Sequence, residues 1–181
     1  MITRKQLIQS QELGRELLKK TGIFFKSGEL NQITVVDFGL SDLKTFGAQI
    51  LTLLNSEMIS VKLIALHSFQ ILPEHWHPKV RKYSGKEEIL RVEWGEMYSY
   101  SIGKSIKNPQ AVIPKEKIHC FNNWHETIMK PGDQIAFPPT TPHWFQAGPQ
   151  GVVVWSFSTK VLYMQDEFID REINRETIIS G

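Results

Sequence analysis

The sequence predicts an all-β fold, a sandwich or barrel, and three observations carry that expectation. Short stretches rich in β-branched and aromatic residues recur at even spacing between positions 33 and 157, glycine and proline punctuate them, and the one clear helical pattern stands ahead of them. With 181 residues, 41% hydrophobic and 22% charged, the chain is long enough to bury one sizeable core. We expect one barrel over 33–160, an N-terminal helical appendage over 1–32 and a C-terminal arm over 161–181 packed on the barrel.

Thr3-Arg4-Lys5-Gln6 has the spacing of a capping box, and Leu7, Leu13, Leu17 and Leu18 form an apolar stripe that Thr21-Gly22 ends. This is an amphipathic helix for the outside of the domain or for a second subunit. The chain then turns β-rich over 33–38, 49–54 and 58–66, with Asp37-Phe38-Gly39 and Asn55-Ser56-Glu57 as turn chemistry. Further strands are expected over 88–94, 97–100, 126–129, 134–137, 143–147 and 152–157. The charged tail from Asp166, with Phe168 and Ile173 set into it, reads as a closing helix or docked arm, a short helical arm by preference.

Composition excludes several function classes. A net charge of +2 with no basic run along one face argues against a nucleic-acid partner. No apolar run approaches membrane-spanning length, and the polar opening Met1-Ile2-Thr3-Arg4-Lys5 is unlike a signal peptide. The single cysteine, Cys120, allows no internal disulfide, so a cytoplasmic protein is expected.

The chemistry concentrates in Pro73-Glu74-His75-Trp76-His77. On a strand, the two-residue period aims His75 and His77 at one face and Trp76 at the other. Glu88 lies eleven residues beyond His77, and six residues separate it from Gly95, so a returning strand and a glycine turn bring its carboxylate over the same face. Glu87 adjoins it, but the spacing to Gly95 favours Glu88. His143, framed by Pro142, supplies a fourth ligand. Three imidazoles and a carboxylate make a metal site that suits manganese, with zinc, cobalt, nickel and iron as alternatives.

Those residues carry a resemblance. His75-x-His77, Glu88 with its following glycine, and Gly132, Pro138 and His143 resemble the two motifs of the cupin superfamily, which implies a jelly-roll β-barrel with the metal inside. Val36-Asp37-Phe38-Gly39-Leu40, Pro73 to Lys79, Gly85-Lys86-Glu87-Glu88, Pro142-His143-Trp144-Phe145, Ser158-Thr159 and Asp166-x-Phe168-x-Asp170 are similar to one cupin family, the D-lyxose ketol-isomerases. The resemblance spans roughly 35–175, with a longer loop before the glutamate than the cupin norm. It implies a divalent cation, manganese by preference, on His75, His77, Glu88 and His143, and interconversion of D-lyxose with D-xylulose and of D-mannose with D-fructose. A small-molecule sugar is then the partner, and a homodimer the expected assembly.

Such a reaction needs a base for the C2 proton, stabilisation of an enediolate and a proton returned to C1. Lys86, two residues before Glu88, is the candidate catalytic and substrate-binding cation, and Trp144, beside a ligand, offers a sugar an apolar wall. Asp166, Ser158 and Thr159 read as turn or helix caps, His125 and Glu126 as loop or cavity-edge groups, and His67 and His119 as structural. Three alternatives stand beside the isomerase: a metal-dependent cupin oxygenase or oxidase, a sugar-sensing cupin, and an isomerase of phosphorylated sugars served by Lys79, Arg81, Lys82 and Lys86.

Overall fold

Helix α1 (Arg4–Lys20) begins where its cap chemistry places it in the structure, a computed structural model that describes residues 1–160 and 166–180. Thr3 Oγ1 accepts the Gln6 N–H at 3.2 Å and Gln6 Oε1 accepts the Thr3 N–H at 2.8 Å, the reciprocal pair of a capping box. Leu17 and Leu18 press onto the outer face of a sheet, against Leu51, Leu63, Ala65 and Val153. The helix is therefore a lid on the barrel's outside.

The strands are β1 (Ile2–Thr3), β2 (Thr34–Val36), β3 (Ala48–Asn55), β4 (Ile59–Leu66), β5 (Ile71–Trp76), β6 (Glu88–Ser101), β7 (His125–Met129), β8 (Gln134–Phe137), β9 (His143–Thr159), β10 (Glu167–Phe168) and β11 (Ile179–Ser180). A curled sheet runs β10-β5-β9-β4-β3-β2, and β6 joins it by pairing with β9 while also holding β7 and β8. All pairings in this sheet are antiparallel. Inside lie Ile64, Leu66, Leu90, Val92, Phe137, Phe145 and Val154. In β4 Leu63, Ile64, Ala65 and Leu66 are all buried, because one face meets this interior and the other meets α1. That explains an unbroken apolar run where alternation would be expected of a strand with one wet face.

Three local expectations are corrected. Gly95 is not a turn between two strands but a bulge inside β6, with φ +81° and a register shift against β9 on either side. A side chain there would run into the Gly151 carbonyl, so only glycine fits. Stretches 143–147 and 152–157 are likewise one strand, β9, whose first residues pair with β5 and whose last pair with β4. The tail is not helical over its described part. Residues 166–180 form a strap: β10 adds to the edge of β5, β11 runs parallel to β1, and Asn174 N–H bonds the Phe38 carbonyl between them. The edges of β5 and β1 offer the strap's backbone hydrogen-bond partners, whereas a short isolated helix is marginal in water.

Candidate metal centre

His75 and His143 face each other across the β5–β9 pair, as Cα partners in register. His77 follows β5, and Glu88 opens β6. The four bring one ligand atom each to within 4.8 Å of one another, and all four side chains are buried. The expected convergence of His75, His77, Glu88 and His143 is thus present in the fold, while Glu87 is exposed and holds the strand start through Thr159 Oγ1.

Each imidazole is held from behind. His75 Nδ1 lies 2.9 Å from the Pro73 carbonyl, His143 Nδ1 lies 2.9 Å from the Thr141 carbonyl, and His77 Nδ1 lies 2.6 Å from Asp166 Oδ1. An N–H at Nδ1 satisfies each oxygen, which leaves each Nε2 as a lone pair. Among the described residues His143 Nε2 is buried with no hydrogen-bond partner, the kind of orphan a bound cation satisfies. On the other side, Glu88 Oε1 accepts the Ser156 hydroxyl at 2.6 Å, and Oε2 sits 2.9 Å from Lys86 Nζ and 3.3 Å from His77 Nε2. The donor set fits a divalent metal ion.

The electrostatics agree with that fit. Burial pushes the His75 and His143 imidazoles below their ordinary 6.5, and the neighbouring histidines add to the effect at both. Burial opposes ionisation of Glu88, but the Lys86 charge and the neighbouring His143 and His77 rings outweigh it and hold the carboxyl well below the usual range. Asp166 is treated alike: burial is outweighed by His77 and Arg175. Neutral imidazoles and ionised carboxylates are what a cation needs.

A narrow cavity of about 40 Å³ lies beside the cluster, lined by His75, Lys86, Glu88, Lys62, Asp166, Phe168 and Arg175, with Phe38, Ile64 and Phe145 among its apolar walls. Lys86 therefore reaches the site, although it precedes β6 rather than lying on it. Gly85, at φ +96°, makes this possible, since a side chain there would sit 2.5 Å from the His77 carbonyl. Lys79, Arg81 and Lys82 are exposed and do not line the cavity. His125 and Glu126 are also elsewhere; Glu126 instead ties Tyr100 Oη to the Gln110 N–H.

The Cupin family pattern matches residues 34–178. A D-lyxose ketol-isomerase of Thermofilum sp. (strain ex4484_79) is 41% identical over 175 residues, 97% of each chain. The chain belongs to the D-lyxose ketol-isomerase family of cupins. A second D-lyxose ketol-isomerase, from Cohnella laeviribosi, is 37% identical over 91% of this chain and 90% of its own. The D-lyxose/D-mannose isomerase of Thermosediminibacter oceani is 37% identical over 97% of both. Among solved structures, the L-ribose isomerase of Acinetobacter sp. DL28 in complex with L-ribose superposes with a TM-score of 0.79 over 99% of this chain and 98% of that one. At 17% identity that match shows the shared fold.

For a D-lyxose ketol-isomerase fold, one sequence expectation about the sugar fails. Trp144 is next to His143, so the strand's alternation turns it to the opposite face. It is fully buried there, stacked on Tyr100 at 3.9 Å, with Nε1 donating to the Asn123 carbonyl, and it does not line the cavity. We expect Trp144→Ala to cost about 3–5 kcal/mol in chemical denaturation, whereas the folded Trp144→Phe variant should keep its KM for sugar.

Several residues of the site were not legible beforehand. Ser156 and Lys62 face inward from mid-strand, and Asp166, Phe168 and Arg175 arrive on the strap. Burial, with help from the Lys86 charge, pushes Lys62 down to about 8. Phe168 stacks on His75 at 5.6 Å, and Arg175 ion-pairs with Asp166. The shifts also set a pH dependence. Below 6.5 the unfolded chain protonates histidines that the fold keeps neutral at 75 and 143, so stability falls with pH from there downward. Glu88 and Asp166, with lowered folded values, add stability above their ordinary 4.5 and 3.8 that is lost as pH drops through the folded values. The metal-free protein should accordingly lose Tm steadily between pH 7 and pH 4 in calorimetry.

Proposed function

We propose that this protein is a metal-dependent aldose-ketose isomerase that interconverts D-lyxose and D-xylulose, and D-mannose and D-fructose more slowly. The single observation that carries the reading is the buried cluster of three histidines and Glu88 with two lysines at its cavity, in a chain 41% identical to a D-lyxose ketol-isomerase along nearly its whole length. His75, His77, Glu88 and His143 would hold the ion, and manganese suits their mixed imidazole and carboxylate donors. A bound divalent ion supplies Lewis acidity for the sugar's carbonyl and neighbouring hydroxyl oxygens.

The chain's own residues supply the rest. Lys86 brings its ammonium to the edge of the cluster, where it can balance negative charge on the sugar oxygens and deliver or take a proton. Lys62 adds a second basic side chain to the same cavity. Phe38, Phe145 and Phe168 line the cavity with apolar surface that keeps water from competing for that proton. Enediol chemistry needs no oxidant. A homodimer is our reading of the exposed apolar row formed by Leu54, Ile59, Ile89 and Phe157 on the outer sheet face, and a cytoplasmic location fits the single, buried cysteine.

The test is an anaerobic incubation with manganese and D-lyxose in deuterated buffer, followed by NMR. D-Xylulose should form, with deuterium entering the sugar at the carbon that receives the returned proton. Complete retention of the original hydrogen would replace the proton route by a hydride shift. Activity that requires oxygen would favour a cupin oxygenase instead.

A further inference from the structure

The three histidines share one tautomer, yet their rear partners are unlike. His75 and His143 lean on carbonyls two residues earlier in their own strand segments, at Pro73 and Thr141. Those acceptors are built into the backbone and cannot leave. His77 instead leans on Asp166, which is 89 residues away on the strap and carries a full charge. Asp166 is itself clamped by Arg175, whose guanidinium also lies over the Phe168 ring, and Phe168 in turn stacks on His75. One short segment thus backs two of the three imidazoles.

The same segment is tied down away from the cluster. Ile169 N–H bonds the Glu74 carbonyl, and Lys117 Nζ reaches Asp170 Oδ2 at 2.7 Å and Glu172 Oε2 at 2.8 Å. None of those tethers touches a ligand atom. A carboxylate behind an imidazole fixes the ring's orientation and raises its basicity, an effect typically worth 10- to 100-fold in metal affinity. Because linkage is reciprocal, whatever the docked strap adds to ion binding, the ion must add to strap docking.

We propose that Asp166, held by Arg175, is a positioning residue through which docking of the C-terminal strap and retention of the ion at His77 are coupled. This rests on the reading of the cluster as a metal site. Strap release then lowers ion affinity without any change in the ligands, and an ion-free protein holds its strap less firmly.

The experiment measures manganese affinity of the full-length protein by competition with a fluorescent chelator, and strap protection by hydrogen exchange with and without manganese. Asp166→Ala should weaken binding about 10- to 100-fold. Asp166→Asn, which keeps an acceptor for the Nδ1 proton but not the charge, should fall between it and wild type. Lys117→Ala, which loosens the strap far from the ligands, should weaken binding by a smaller factor. Manganese should slow exchange of the Ile169 amide in wild type, and less so in Asp166→Ala. Should Asp166→Ala fail to fold by circular dichroism, the Asn and Lys117 variants decide. Wild-type binding with all folded variants within twofold of it would overturn the coupling while leaving the metal site intact. A wild type that binds no manganese, zinc or cobalt would overturn both.

Discussion

Glu88→Ala should abolish measurable isomerisation and bind manganese at least about 100-fold more weakly than wild type, because the substitution removes the one anionic ligand from the cluster. Glu88 is more than a ligand. Its two oxygens accept the Ser156 hydroxyl and the Lys86 ammonium, so its loss strands a buried ammonium and a buried hydroxyl together. Breaking one side of a buried ion pair costs about 3–5 kcal/mol, and the metal-free variant should show that loss in denaturation. Glu88→Gln separates the two effects: it keeps an acceptor for Ser156 and the shape of the site, but not the charge. We expect it to be less destabilised than Glu88→Ala, because the amide oxygen still accepts from Ser156, and still to lose the ion, as measured by metal analysis after gel filtration. Loss of the ion from Glu87→Ala with retention in Glu88→Ala would shift the assignment by one residue.

How much of this was readable beforehand follows from the distances along the chain. His75 and His77 declared a shared face through the two-residue period, and the spacing from Glu88 to Gly95 chose the glutamate that the fold places beside them even though Gly95 is a bulge rather than a turn. Trp144 could have been excluded by the same period, since a neighbour of His143 on one strand must point away from it. Ser156 and Lys62 sit in segments that read only as apolar alternation, and nothing local says which barrel wall they face. Asp166 and Arg175 were the least legible. Their meaning depends on a strap crossing back to β5, a contact no periodicity reports. The charged spacing of that tail leaves a helix and a docked arm both open, because the strand edges that capture it are invisible until the barrel closes.

Lys86 is the residue where chemistry and charge balance must be told apart. Its ammonium lies 2.9 Å from Glu88 Oε2, in the same region as His77 Nε2, so in the metal-free protein it serves as the counter-charge of that carboxylate. With a divalent ion held by His75, His77, Glu88 and His143, the ammonium would be free to face the sugar. Lys86→Met removes the charge at nearly constant volume. Relieved of its competitor for Glu88, the site should hold manganese as well as wild type or better, while kcat for D-lyxose should fall about 10²- to 10⁴-fold, the usual contribution of a positioned acid or base. Lys86→Arg then divides the remaining roles. Arginine stays protonated, so it can balance enediolate charge but cannot exchange a proton at neutral pH. If Lys86 only balances charge, Lys86→Arg should recover most of the lost kcat; if it moves a proton, the variant should stay as slow as Lys86→Met. Single-turnover kinetics on manganese-loaded enzyme make the measurement, with metal content determined on the same samples. A Lys86→Met variant with wild-type kcat would remove this lysine from the chemistry and leave Lys62, across the same cavity and with its affinity for a proton lowered by burial, as the next group to test.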